Sequence, residues 1–126
     1  MKFILLALFI LAFQVQAGCS ISEETQRGLN QKYGNDISIE TKLRDSSYYV
    51  VISLPLTITN QEFKAVWLFI DSIDEPTFVA PLETFQKGDK FIAWYEIDAD
   101  LIRTHYVGTS FGEDCGISVI KEVIYR

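Results

Sequence analysis

The apolar side chains of this chain follow three spacings in turn. Phe3 to Phe13 is an unbroken apolar run. Between Ser20 and Tyr33 the apolar residues become sparse and helical. Leu29 and Tyr33 share a face, with Thr25 or Gln26 one turn earlier. Ser20 and Glu23 have capping-box spacing, and Gly34-Asn35 supplies a C-terminal stop. So thin an apolar stripe predicts a short helix lying on a sheet edge or end, not a core element.

From Ile37 the period falls to two. Ile37, Ile39, Thr41 and Leu43 alternate with Ser38, Glu40, Lys42 and Arg44, the pattern of a half-buried strand. Asp45-Ser46-Ser47 is turn material, and the β-branched and aromatic run Tyr48 to Leu54 completes a hairpin. Pro55 confines the next segment to an edge or a bend. Leu56 and Ile58 continue the alternation. Ala65 to Ile70 is apolar on both faces, as expected of a strand covered on both sides. Ser72 to Pro76 breaks the run. Thr77 to Glu83 is a weaker strand interrupted by Pro81, which gives it the look of a protected edge. Gln86 to Lys90 is a turn, Phe91 to Asp98 a strong strand, and Ala99 to Arg103 one helical turn. Tyr106 to Phe111 and Ile117 to Tyr125 close the set, separated by the Gly112 to Gly116 turn.

About seven strands with turn signals every eight to twelve residues, and no strand followed by a long helix, argue against a parallel βαβ sheet. The expected fold is mainly β: an antiparallel β-sandwich of Ig-like size with a short N-terminal helix. The alternative is an α+β curved antiparallel sheet packed on one helix, a cystatin-like arrangement.

The first apolar run changes the reading of the N-terminus. One lysine, Lys2, precedes eleven apolar residues, and Val15-Gln16-Ala17 offers a small-residue exit. That is the anatomy of a secretory signal peptide over residues 1–17. The run is too short to span a bilayer as a helix, which takes about 20 residues. The remaining residues, 18–126, are expected to form one mature globular domain. Ala17-Gly18-Cys19 also resembles the end of a bacterial lipobox, with Gln16 departing from its usual aliphatic residue. The resemblance implies cleavage before Cys19 and acylation of its thiol. Cysteine count favours the first cut: Cys19 and Cys115 are the only two cysteines, and an exported pair is expected to form a disulfide.

Charge and composition then exclude classes of function. The net charge is -6, and losing Lys2 with the leader makes it -7. That acidity opposes nucleic-acid binding, which concentrates Lys and Arg. Phosphate-loop, nucleophile-elbow, Cys-x-x-Cys and zincin motifs are missing from the sequence, and one histidine cannot build a zinc site of the usual kind. No cofactor and no metal are expected. A Cys115–His105 pair is the sharpest enzymatic candidate. Glu113 and Asp114 would raise the thiol pKa, so His105 reads as an ordinary surface histidine and Cys115 as half of the bridge. The chain is therefore expected not to be an enzyme.

The candidate binding residues are acids at strand ends, Asp71, Asp74, Glu75, Asp98 and Asp100, together with Trp94. Converging acids would suit calcium. Trp94 and Tyr95 are strand neighbours and must face opposite ways, whereas Trp67 and Phe69 share a face. An outward aromatic row would suit sugars or a partner strand. The expected function is that of a small periplasmic or secreted binding protein, an inhibitor or immunity-type binder of a basic partner. Periplasmic lysozyme inhibitors and immunity proteins share the size and export pattern, as an analogy of class. The partner would be another exported or envelope protein, with no nucleic acid and no membrane span. The alternative is an envelope structural or assembly lipoprotein anchored through Cys19 to the outer membrane.

Overall fold

The alternating segments pair into two antiparallel sheets that share one core. The computed structural model describes residues 21–114 and 116–126; the leader over 1–17, Ser20 and both cysteines lie outside the described residues. Helix α1 (Glu23–Tyr33) is followed by β1 (Ser38–Arg44), β2 (Ser47–Pro55), β3 (Thr57–Ile58), β4 (Gln61–Ile70), β5 (Phe78–Pro81), β6 (Thr84–Lys87), β7 (Lys90–Asp98), β8 (His105–Phe111) and β9 (Ile117–Glu122). The first sheet has the order β1-β2-β7-β6. In the second, β4 pairs β8 on one side and the short β3 and β5 on the other, and β9 pairs β8. Val50, Ile52, Leu54 and Ala93 of the first sheet pack in one cluster with Val66, Val107, Phe111 and Val119 of the second. The result is a β-sandwich with a short helix.

Turn chemistry fixes the register of the hairpins. Asp45 (φ 58°) turns β1 into β2, and Thr59 and Asn60, both at positive φ, turn β3 into β4. Gly88 (φ 61°) turns β6 into β7, where glycine carries no Cβ penalty.

The helix caps an edge. Its N-cap is Ser22, whose Oγ accepts the Thr25 N–H at 3.2 Å, so the helix starts later than the Ser20 spacing implied. None of its residues is fully buried. Instead, Asn30 Oδ1 accepts the Ile120 N–H at 2.8 Å, and Gln26 Nε2 donates to the Ser118 carbonyl at 2.9 Å. Two side chains thus satisfy the outer backbone groups of β9, which would otherwise be an open edge. The core lies between the sheets, not under the helix, so the helix-wrapped alternative is not the one adopted.

Two elements differ from the sequence pattern. The stretch expected as one strand, Thr77 to Glu83, holds only the four-residue β5, and the chain then changes sheets to form a further strand, β6, from Thr84. β5 ends at Pro81, the chain crosses at Leu82, whose N–H donates to the Val66 carbonyl at 3.0 Å, and β6 joins β7 within the expected Gln86 to Lys90 turn. The last strand stops at Glu122, short of Tyr125. Residues 123–126 form a tail held by the Val123 N–H on the His105 carbonyl and by the Thr41 hydroxyl on the Ile124 carbonyl. Among the described residues no helix is long and apolar enough to cross a membrane.

Candidate functional site

The β2–β7 pairing decides which aromatic residue of the Trp94-Tyr95 pair faces out. Tyr95 stands opposite Val50 and packs against the core, whereas Trp94 stands opposite Val51 on the outer face and is 57% exposed. Because alternate residues share a face, Ile92, Phe85 and Val51 surround it. Phe85 is 51% and Val51 36% exposed, so the patch is open to solvent. Carboxylates border it: Glu96 lies two residues along β7, and Glu40 stands opposite Val51 on β1. Glu96 stands opposite Tyr49, and its carboxylate holds the phenol pKa above the usual value. Arg44 sits 5.4 Å from the centre of the same ring.

The second sheet also carries an outward aromatic pair. Trp67, 40% exposed, and Phe69 face away from Val66 and Leu68, as the alternation of β4 requires. Phe69 lies against Gly108 so closely that a Cβ there would stand 2.8 Å from the ring. Tyr106, opposite Phe69, extends the surface.

The acidic turns come together at one end of the sandwich. The Asp71 N–H donates to the Thr104 carbonyl at 2.8 Å, and its carboxylate pairs with Arg103 and accepts from the Thr77 hydroxyl. The 71–77 and 98–104 connections are therefore joined, and Asp71 is committed to joining them. Asp98 accepts from the Ser47 hydroxyl at 3.2 Å. The backbone N–H groups of Asp74 and Glu75 both donate to Ser72 Oγ, and both residues are exposed. Asp100 is exposed on a single 3-10 turn, Ala99–Leu101. Asp74 also lines an open groove of about 450 Å³ with Glu23, Arg27, Tyr106 and Glu122. Among the described residues no three acids or histidines are grouped closely enough to hold a metal ion. Asp98, Glu96 and Trp94 lie on one face of β7, so the acidic end runs into the Trp94 patch.

His105 is not a surface residue. It is fully buried, facing the core in register with Val107, Thr109 and Phe111. Its Nδ1 hydrogen-bonds the Tyr125 hydroxyl, which in turn meets the Tyr95 hydroxyl at 2.7 Å. Tyr95 and Tyr125 stand edge-on to the imidazole, and Tyr48 packs edge-on against Tyr125. Nε2 has no hydrogen-bond partner among the described residues. Burial lowers the His105 pKa and raises those of Tyr95 and Tyr125. An imidazole so enclosed is closed to a substrate, and Cys115, its suggested partner, lies outside the described residues. The group ties β8, β7, β2 and the C-terminal tail together.

Comparison with protein families, with curated proteins and with solved structures finds no match.

Proposed function

We propose that the protein is an exported binding domain that captures a basic protein partner, with Trp94 and the carboxylates around it as the contact. The observation that carries this reading is a tryptophan 57% exposed in mid-sheet, among apolar neighbours and flanked by Glu40 and Glu96. Tryptophan is among the residues that most often dominate an interface, because it buries a large area at small entropic cost. The net charge of -6 and the exposed Asp74 and Glu75 supply long-range attraction for a basic partner. The leader over 1–17 supports export, and with it a partner outside the cytoplasm.

The test immobilises wild type, Trp94→Ala and the charge-reversed pair Asp74→Lys, Glu75→Lys, and exposes each to the same envelope and secreted fraction. A basic protein should be retained by wild type at low salt. Trp94→Ala should weaken its capture roughly 30-fold, as for a hot-spot truncation of about 2 kcal/mol. The charge reversal should slow association and remove most of the salt dependence. Equal retention of one protein by all three surfaces would overturn the reading.

A further inference from the structure

We propose that the free edge of β1 accepts an extended acidic peptide as an added strand, seated against the C-terminal tail. The four sheet edges are not equivalent. The β9 edge is covered by α1 through Gln26 and Asn30, β6 is only four residues long, and the outer side of β4 is occupied by the short β3 and the proline-bearing β5. Among the described residues β1 is the seven-residue edge, paired to β2 on one side only. Beside it runs an open groove of about 780 Å³, bordered by the tail.

The lining of this groove has the opposite charge to the molecule. Lys42, Arg44, Lys121 and Arg126 line it, against only two acids, Glu40 and Glu122, in a chain whose acids outnumber its bases 17 to 11. The ion pairs among the described residues are Lys64–Glu113 and Arg103–Asp71, so none of the four cations is paired with a carboxylate there. Lys121 is engaged with the Gly34 and Ile37 carbonyls, whereas Lys42, Arg44 and Arg126 are exposed.

Pleating sets the pattern of the occupant. Glu40, Lys42 and Arg44 alternate on the outer face of β1, so an added strand would meet the two cations with acids at two alternate positions, its further acids extending past Arg44 and away from Glu40. The intervening positions would turn inward, where Leu43 is left 50% and Ile124 51% exposed. The complementary sequence therefore alternates acidic and apolar residues. Like charges at 42 and 44 repel a basic strand, so the same residues that guard the edge select its occupant. Main-chain hydrogen bonds would supply affinity, as in other strand additions. The site adjoins the Trp94 face but does not depend on its role.

The test titrates a fluorescent octapeptide of alternating Glu and Val by anisotropy at about 50 mM salt. Saturable binding is expected, weakened roughly tenfold or more by Lys42→Glu with Arg44→Glu and by a rise to about 300 mM salt. The matching Lys-Val peptide should not bind. A Glu-Val peptide N-methylated at alternate residues should lose binding, and the β1 amides facing away from β2 should exchange more slowly when the unmodified peptide is present. Trp94→Ala should leave this binding unchanged. If the charge-reversed variant fails to fold, Lys42→Gln serves in its place, with roughly threefold weaker binding expected. Absence of saturable binding to wild type, equal affinity for the Lys-Val peptide, or indifference to the β1 substitutions would overturn the proposal. Undiminished binding of the N-methylated peptide, or displacement of the Glu-Val peptide by dodecanoate that itself depends on Lys42 and Arg44, would also overturn it. Those results would make the groove a site for anions that do not pair with the strand.

Discussion

His105 is folded in its neutral form, and its burial ties stability to pH. The proton on Nδ1 or its acceptor there is satisfied by Tyr125, but a second N–H on Nε2 would have no partner among the described residues. Around the ring stand Tyr48 and Tyr125, Tyr95 from β7, and the Asp71–Arg103 pair, whose opposite charges pull the imidazole pKa in opposite directions. Burial is the largest influence and sets the native pKa below the ordinary 6.5. Below pH 6.5 the unfolded chain therefore takes up a proton that the native protein refuses. Stability is full above that value, falls as the pH drops through it, and levels off below the depressed native pKa. The chain has one histidine, so His105→Asn should flatten the slope of the urea midpoint between about pH 7 and pH 5.5. A wild-type midpoint that stays constant over that range would refute the account. The burial was one residue away from being legible in the sequence. With a strand starting at Tyr106, His105 falls in a loop; with one more residue, it joins the inward series Val107, Thr109 and Phe111. The tyrosines that complete its surroundings lie 30 residues apart in sequence, beyond the reach of any local pattern.

Helix α1 acts as an edge cover, and its polar residues matter more than its apolar ones. Asn30 Oδ1 accepts both the Ile120 N–H and the Gln26 side chain, so Asn30→Ala removes one arm of the clasp and loosens the other. It leaves a half-buried backbone donor without its partner, at a cost of about 1–3 kcal/mol. Thermal unfolding should register that loss. Amide exchange of Ile120 should accelerate more than that of Val119, which lies in the β8 ladder. A sparse apolar stripe was enough to place the helix on an edge, because a helix with so little to bury has nowhere else to go. Strand alternation likewise made the β1–β2 hairpin legible, but it left open which of Trp94 and Tyr95 faces out, and the apolar run of β4 led to an expectation of cover on both faces where Trp67 is in fact 40% exposed. It could not show that the chain changes sheets after Pro81 and that Thr84 to Lys87 forms a further strand. Pro81 announces an interruption, but the change of partner is made by Leu82 docking on Val66 and by Phe85 pairing with Ile92, both non-local. The acidic end of the candidate site was visible as a composition of turns. The Arg103–Asp71 link that joins two of those turns was not, since 32 residues separate its members.

At the scale of the whole molecule, the two cysteines would tie the N-terminal entry of the described chain to its last hairpin. Ile21, two residues after Cys19, lines a small cavity of about 220 Å³ together with Asp114 and Gly116, the sequence neighbours of Cys115. A Cys19–Cys115 disulfide, the pairing expected of two exported cysteines, would fasten the entry to α1 onto the β8–β9 turn. Gly116 suits such a crowded turn, because a Cβ there would stand 2.0 Å from the Phe111 carbonyl oxygen. The bridge would close about 97 residues, and the chain-entropy account gives such a loop on the order of 4–5 kcal/mol as an upper value. Intact mass of the native mature protein tests the arrangement. A chain starting at Gly18, resistant to thiol alkylation until reduced and then taking two labels, is the expected result. Reduction should also lower the unfolding midpoint and increase amide exchange in β9, since α1 would then hold that edge through Gln26 and Asn30 without the covalent tie. A chain starting at Cys19 with added acyl mass and an alkylatable Cys115 would decide against the bridge. The domain would then be tethered by lipid at the mouth of α1, and an envelope assembly role would displace capture of a soluble basic partner.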